Sequence, residues 1–205
     1  NGSGKTTLMN MLAGIYFPDE GYILVDGKKV TITSPKDSFA LGIGMVHQHF
    51  KLIDTFTALQ NIILGLDGSF FLNKRKTEKA IKAIVDHYGF QLDLKKKIYE
   101  MSVSEKQTVE IIKLLYRNVD TLILDEPTAV LTPQETERLF DILRKMKEDG
   151  KAIIIITHKL NEVLELSDRV AILRKGEMIG CIDTKEANEE ILTDMMVGEH
   201  VSLKI

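Results

Sequence analysis

Two short stretches carry most of the chemistry this chain could perform. The first, Asn1-Gly2-Ser3-Gly4-Lys5-Thr6-Thr7, is the end of a G-x-x-x-x-G-K-[ST] loop whose leading glycine falls outside the sequence. Glycines let several backbone N–H groups converge on phosphate oxygens without obstruction by Cβ. The helix that follows adds its positive end. In such a loop Lys5 reaches the β- and γ-phosphates, and Thr6 places its hydroxyl on Mg²⁺. The second stretch, Leu122-Ile123-Leu124-Asp125-Glu126-Pro127, sets two carboxylates at the C-terminal end of a short apolar run. That is the side on which parallel sheets bind ligands. Asp125 is expected to hold Mg²⁺, directly or through water, and Glu126 to polarise an attacking water. Each stretch alone has an ordinary alternative: a glycine turn before a helix, or carboxylates capping a turn. Together they point to a nucleoside triphosphate and Mg²⁺.

The elements that must hold these residues alternate between strand and helix. Leu8, Met11 and Leu12 recur at helical spacing after the loop, and Gly14 can end that helix. Tyr22–Val25 and Val30–Thr33 read as strands around the turn Asp26-Gly27, Pro35–Leu41 as a short helix, and Gly44–His47 as a strand. From about Lys51 to Arg117 strand patterns vanish. Leu59, Ile62, Ile63 and Leu66 mark one helix, and Ala80, Ile81, Ile84, Val85 and Tyr88 mark another that Gly89 closes. Asp120–Asp125 is then a buried strand, and Thr132-Pro133-Gln134-Glu135 starts a helix with N-cap, Pro and capping-box Glu in place. Ala152–Thr157 reads as a second buried strand and Asn161–Ser167 as a short helix. A hairpin is expected around Lys175-Gly176, and a last helix over Asn188–Val197. The class is therefore α/β, a single unit over 1–205. A helical block over 51–117 is inserted into it, the second part of the core runs over 118–205, and there is a small antiparallel portion.

Composition narrows the class without deciding it. A chain of 205 residues with 44% apolar and 28% charged residues can bury a substantial core. Its formal charge of −3 offers no electrostatic footprint for nucleic acid, and runs such as Lys95-Lys96-Lys97 are too short to supply one. The single cysteine, Cys181, excludes an internal disulfide. No stretch reaches the ~18 apolar residues of a membrane span. Because the loop begins partway, strands upstream of it are expected to be absent, leaving this segment marginally stable by itself.

The order of parts resembles the ATP-binding cassette of ABC transporters over essentially the whole chain. Gln48 matches the glutamine that approaches Mg²⁺ where the membrane subunit docks, and Ala129-Val130-Leu131-Thr132 stands at the D-loop. His158, within Ile156-Thr157-His158-Lys159, matches the histidine that contacts the γ-phosphate. Ser102-Val103-Ser104-Glu105-Lys106-Gln107 stands at the signature, whose serine and amides face the γ-phosphate of a partner cassette. Gly44–Leu52, Glu126–Glu135, Ile156–Leu160 and Met195–Gly198 look like the importers of simple sugars and nucleosides, which carry two cassettes in tandem, and this chain is similar to the first. The resemblance implies a P-loop NTPase (RecA-like) core binding ATP and Mg²⁺. It also implies head-to-tail pairing with a second cassette. Two transmembrane permease subunits would hold the pair at the cytoplasmic face of the membrane, and an extracytoplasmic solute-binding protein would feed them. The competing readings are a soluble cassette outside transport and a regulatory cassette with weak turnover.

The signature departs from the family pattern. Ser104 replaces the second glycine, Glu105 stands at the usual Gln or Met, and Thr108 replaces a common Arg. Ser102-x-x-Glu105 and Ser104-x-x-Gln107 are both capping-box patterns. A Glu here satisfies the helix dipole with its own charge and opposes an incoming phosphate, with Lys106 as the expected offset. The site using this signature is thus expected to bind or hydrolyse ATP poorly.

Overall fold

The computed structural model describes residues 2–66 and 73–198. Its centre is a parallel sheet of β3 (Ile43–Val46), β4 (Thr121–Asp125) and β5 (Ala152–Ile156), in that spatial order. Parallel neighbours need long crossovers. Here α5 (Val103–Tyr116) lies between β3 and β4 in sequence, and α6 (Pro133–Glu148) between β4 and β5. The central strand explains the uninterrupted apolar run. Leu122 and Leu124 face one apolar cluster, with Ile62, Ile112, Leu143 and Met146, and Ile123 faces the other, with Ala13, Ile32, Ile43 and Met45. Alternation thus buries both faces. All three side chains are fully buried, each contributing about 1.5–3 kcal/mol relative to exposure.

Around this sheet, α1 (Lys5–Leu12) follows the phosphate loop, and β1 (Ile23–Val25) pairs with β2 (Lys28–Val30). The sequence places the start of the second strand two residues later, at Val30. Asp26 and Gly27 both adopt positive φ, a two-residue turn that matches Val25 with Lys28, so pairing begins at once. Next come α2 (Pro35–Ala40), α3 (Ala58–Ile63), which stops before Leu66, and α4 (Lys74–Tyr88), closed by left-handed Gly89. Between 51 and 117 the described residues form helices and no named strand. The same apolar cluster runs from these helices into Leu122 and Leu124 of the sheet. After β5 come α7 (Leu160–Leu166), the antiparallel hairpin β6 (Arg169–Arg174) and β7 (Glu177–Asp183), and α8 (Glu189–Val197).

Two polar devices fix α1 and α5. The Ser38 hydroxyl is shared between the carbonyls of Leu12 (2.8 Å) and Ile43 (3.1 Å), joining the end of α1 to the start of β3. The buried amide of Gln107 donates to the Pro127 carbonyl at 2.9 Å, joining α5 to the loop after β4. Gln107 is therefore not the capping partner of Ser104. Ser102 is the N-cap, with Glu105 as the reciprocal residue, and Ser104 lies inside the first turn.

Candidate functional site

The register of the three parallel strands assembles the site. Val46 is level with Leu124, and Asp125 is level with Ile156. The residues that follow, His47-Gln48, Glu126 and Thr157-His158, therefore leave the sheet at one edge. The phosphate loop meets the same edge. The Thr6 Oγ1 lies 3.4 Å from Asp125 Oδ1, and the Lys5 ammonium donates to Ser3 Oγ at 2.7 Å. Gly4 takes φ 89° as the N-cap of α1 and supplies no side-chain cap, so the first N–H groups of the helix stay open to a ligand. A cleft of about 400 Å³ results, lined by Gly2, Ser3, Gly4, Lys5, Thr6, Thr7, Gln48, Asp125, Glu126 and His158 among others. These are the residues predicted for the loop, the metal and the catalytic pair. Asn1 lies outside the described residues.

Glu126 is the most constrained of them. Its φ is 48°, left-handed backbone that a glutamate rarely adopts, at a cost of about 1–3 kcal/mol. Its N–H donates to the Ile156 carbonyl at 2.9 Å, extending the β4–β5 ladder by one bond. Its Oε1 meets His158 Nδ1 at 2.9 Å. Its Oε2 is buried with no partner. One oxygen is thus held by His158, and the other is enclosed without a partner. Burial raises the Asp125 carboxyl above its usual range and Glu126 adds to the rise, against the Thr6 hydroxyl, His47 and Lys5. Burial lowers the His47 imidazole, Lys51 adds to that, and Asp125 opposes it.

The donor set suits a hard cation that keeps most ligands outside the protein. Thr6 and Asp125 present oxygens side by side. Among the described residues no three His, Cys, Asp or Glu side chains cluster as a cage. Mg²⁺ fits that description, since it is usually bound by one or two carboxylates together with phosphates and water.

Ser102 and Ser104 do not line this cleft. Ser102 caps α5 while Glu105 returns to the Ser102 N–H at 2.8 Å. The countercharge for Glu105 is Lys96, at 2.7 and 2.9 Å, whereas Lys106 extends to Asp54 at 3.8 Å. The expected offset by Lys106 is therefore corrected: its side chain is directed at Asp54, and Lys96, nine residues before Glu105, reaches the carboxylate instead.

Several contacts behind the cleft had no sequence signal. Gly176 N–H donates to the Ser3 carbonyl at 3.1 Å, so the β6–β7 turn braces the phosphate loop. Buried Glu110 accepts from Lys51 N–H at 3.1 Å, tying α5 to the segment after Gln48. Thr128 and Glu162, both buried, form a cluster with Thr157 and Lys159. A Glu four residues past His158, at the start of a helix, reads in sequence as an ordinary first-turn carboxylate.

Residues 1–129 match the family described as ABC transporter. The chain is 48% identical over 206 residues to the guanosine import ATP-binding protein of Bacillus subtilis (strain 168), covering 100% of this chain and 40% of that protein. It is 42% identical over 231 residues to the glucose import ATP-binding protein of Haloferax volcanii, covering 98% and 42%. A solved ATP-binding cassette of an ABC transporter, in its ADP conformation, superposes with a TM-score of 0.80 at 28% identity, over 97% of this chain and 85% of that one. The chain spans about two fifths of the length of the curated relatives it matches.

Proposed function

The chain belongs to the ABC transporter family, and from that membership we propose that it is the ATP-binding and hydrolysing part of an importer energising uptake of a simple sugar or nucleoside. The observation that carries the reading is the cleft in which Lys5, Thr6, Gln48, Asp125, Glu126 and His158, drawn from the phosphate loop and three strand ends, converge. The solute class rests on relatives named for import of guanosine, nucleosides and glucose.

The phosphate loop and Lys5 bind the triphosphate, and the open end of α1 faces its charge. Mg²⁺ would be held by Thr6, Asp125 and Gln48, and when bound neutralises charge on the phosphates. The Glu126 carboxylate orients and polarises a water. The water oxygen bonds to the γ-phosphorus and loses a proton by way of the Glu126 carboxylate to the phosphate product, the bond from the γ-phosphorus to the oxygen it shares with the β-phosphate breaks, and ADP and inorganic phosphate leave. His158 holds Glu126 through Nδ1, and its Nε2 is left to steady the γ-phosphate.

The partners follow from the same reading. A second cassette, on the same full-length chain, contributes a signature to this cleft and receives Ser102 and Ser104 at its own phosphate loop. Two permease subunits hold the pair at the cytoplasmic face of the membrane, and an extracytoplasmic solute-binding protein feeds them. Among the described residues no helix is long and apolar enough to cross a membrane. Residues 51–117 act as the helical subdomain that moves with ATP. No nucleic acid enters the scheme.

The test is ATP turnover by the full-length protein with its membrane subunits, beside Glu126→Gln. Loss of at least about 100-fold of the turnover carried by this cleft is expected. Unchanged turnover in the variant would show that Glu126 serves no working site.

A further inference from the structure

The cluster behind the cleft joins the two loops that carry Glu126 and His158. The Glu162 carboxylate is 7% exposed and lies on the first turn of α7. The Thr128 hydroxyl, two residues after Glu126, sits 2.7 Å from both of its oxygens. The Thr157 hydroxyl, one residue before His158, reaches Glu162 Oε2 at 3.4 Å and accepts from Lys159 N–H at 3.1 Å. The Lys159 ammonium, one residue after His158, closes the ring: 3.0 Å to Glu162 Oε1, 3.0 Å to Thr128 Oγ1 and 3.1 Å to the Thr128 carbonyl.

Capping α7 would not require this arrangement. An exposed first-turn carboxylate satisfies a helix N-terminus at little desolvation cost. The pair of buried Glu162 with partly exposed Lys159 is a poor source of stability, because desolvation of the carboxylate offsets much of the attraction. What burial adds is geometry: Thr128 follows Glu126 by two residues and His158 sits between Thr157 and Lys159, so one carboxylate anchors both loops from behind. The anchored loops present Glu126 Oε1 and His158 Nδ1 to each other at 2.9 Å.

We propose that Glu162 is a positioning residue for hydrolysis. Through Thr128, Thr157 and Lys159 it fixes the spacing and orientation of the Glu126–His158 pair without touching nucleotide. The inference rests on the reading of this cleft as a hydrolytic site. It places part of the control of turnover in a salt-bridged ring invisible from the cleft, and it makes Thr128 and Lys159 members of the same unit.

The experiment uses the full-length protein with its membrane subunits and compares Glu162→Gln, Glu162→Asp, Thr128→Val and Glu126→Gln. The turnover removed by Glu126→Gln defines the share this cleft carries. Within that share, Glu162→Gln is expected to lower kcat about 10- to 100-fold, as displacement of a reacting group by an ångström does. The ATP KM should move by less than about threefold, since the phosphate loop is untouched. Glu162→Asp, which keeps the charge and both oxygens, should recover most of the loss. Thr128→Val, which removes one donor and keeps the Lys159 pair, should lower kcat in the same sense. If Glu162→Gln does not melt cooperatively, Thr128→Val decides, with unchanged kcat counting against the proposal. A full loss in Glu126→Gln with kcat in Glu162→Gln within twofold of the parent would overturn the inference and leave the hydrolytic reading standing. Equal falls in melting temperature, KM and kcat without recovery by Asp would also overturn it, because that is the signature of a merely structural residue. Full turnover in Glu126→Gln would remove the reading and the inference together.

Discussion

Replacing Gly14 by alanine tests how rigidly the phosphate-binding helix is seated. Gly14 follows the end of α1 with φ 73°, and a Cβ built there falls 2.2 Å from the Ser34 carbonyl oxygen and 2.3 Å from its carbon. Both are backbone atoms, and Ser34 is the N-cap of α2, accepting from the Asp37 N–H, so no flexible side chain can swing aside. The left-handed backbone costs alanine about 1–2 kcal/mol, and forcing apart packed backbone adds about 1–3 kcal/mol. Gly150 provides the control, because its φ is 82° and a Cβ there meets nothing within 4 Å. Gly150→Ala should therefore show the conformational cost alone. For a domain of this size, about 2–4 °C per kcal/mol translates these costs to a fall of about 4–20 °C for Gly14→Ala and about 2–8 °C for Gly150→Ala. Scanning calorimetry of the two full-length variants beside the parent gives the comparison. Equal falls would refute the reasoning, since the contact with Ser34 would then carry no rigidity.

The departures in the signature make two further predictions. Ser104 sits in the first turn of α5, and its hydroxyl is one of the groups, after the backbone and side chain of Thr132, that hold the Glu135 carboxylate below its usual range. Ser104→Gly, alone or with Glu105→Gln, is expected to raise turnover at the site that uses this helix end, read as ATP hydrolysis in a Glu126→Gln background; no rise would remove the idea that the departures weaken it. Lys96 first, then the Ser102 N–H, hold the Glu105 carboxylate below its ordinary 4.5, against burial. A depressed folded value means that this contribution to stability is complete above pH 4.5 and is lost as pH falls below it. The stability difference between the parent and Glu105→Gln should therefore be constant above that pH and shrink below it in acid unfolding scans; a difference that grows in acid would contradict the assignment.

The cleft was legible because its chemistry is written in contiguous motifs. Gly2–Thr7 and Leu122–Glu126 each declare both an element and a role, and the apolar runs around Ile123 and Ile154 declare parallel strands. His158 and Gln48 were less exposed to reading, since a lone histidine or glutamine has many uses, and only their place after strand-like runs singled them out. The Glu162 cluster was illegible for a physical reason. Its members are polar residues of unremarkable type whose meaning lies in burial, and burial there depends on packing between the loop after β4 and the start of α7. The two-residue turn at Asp26-Gly27 lets β2 start at Lys28, earlier than its apolar residues suggest, and Glu105 pairs with Lys96, outside the motif, although Lys106 is its neighbour in sequence. Boundaries and long-range charge partners are set by three-dimensional closeness, which a one-dimensional pattern does not record.

The shared strand ends also bear on how such a chain can change length. Gln48, Glu126 and His158 leave β3, β4 and β5 on the side opposite the turn between α6 and β5, where Gly150 is exposed and a Cβ there touches nothing within 4 Å. An insertion at that turn leaves the strand pairing intact, and with it the spacing of Glu126 and His158. A single deletion inside β5 would instead slide Lys159 into the place of His158 and reverse which of the isoleucines after it meet each layer. Insertions and deletions should therefore accumulate at one rim of this sheet and be purged at the other. The Gly150 turn is accordingly the position at which a reporter peptide could be grafted while hydrolysis is still measured.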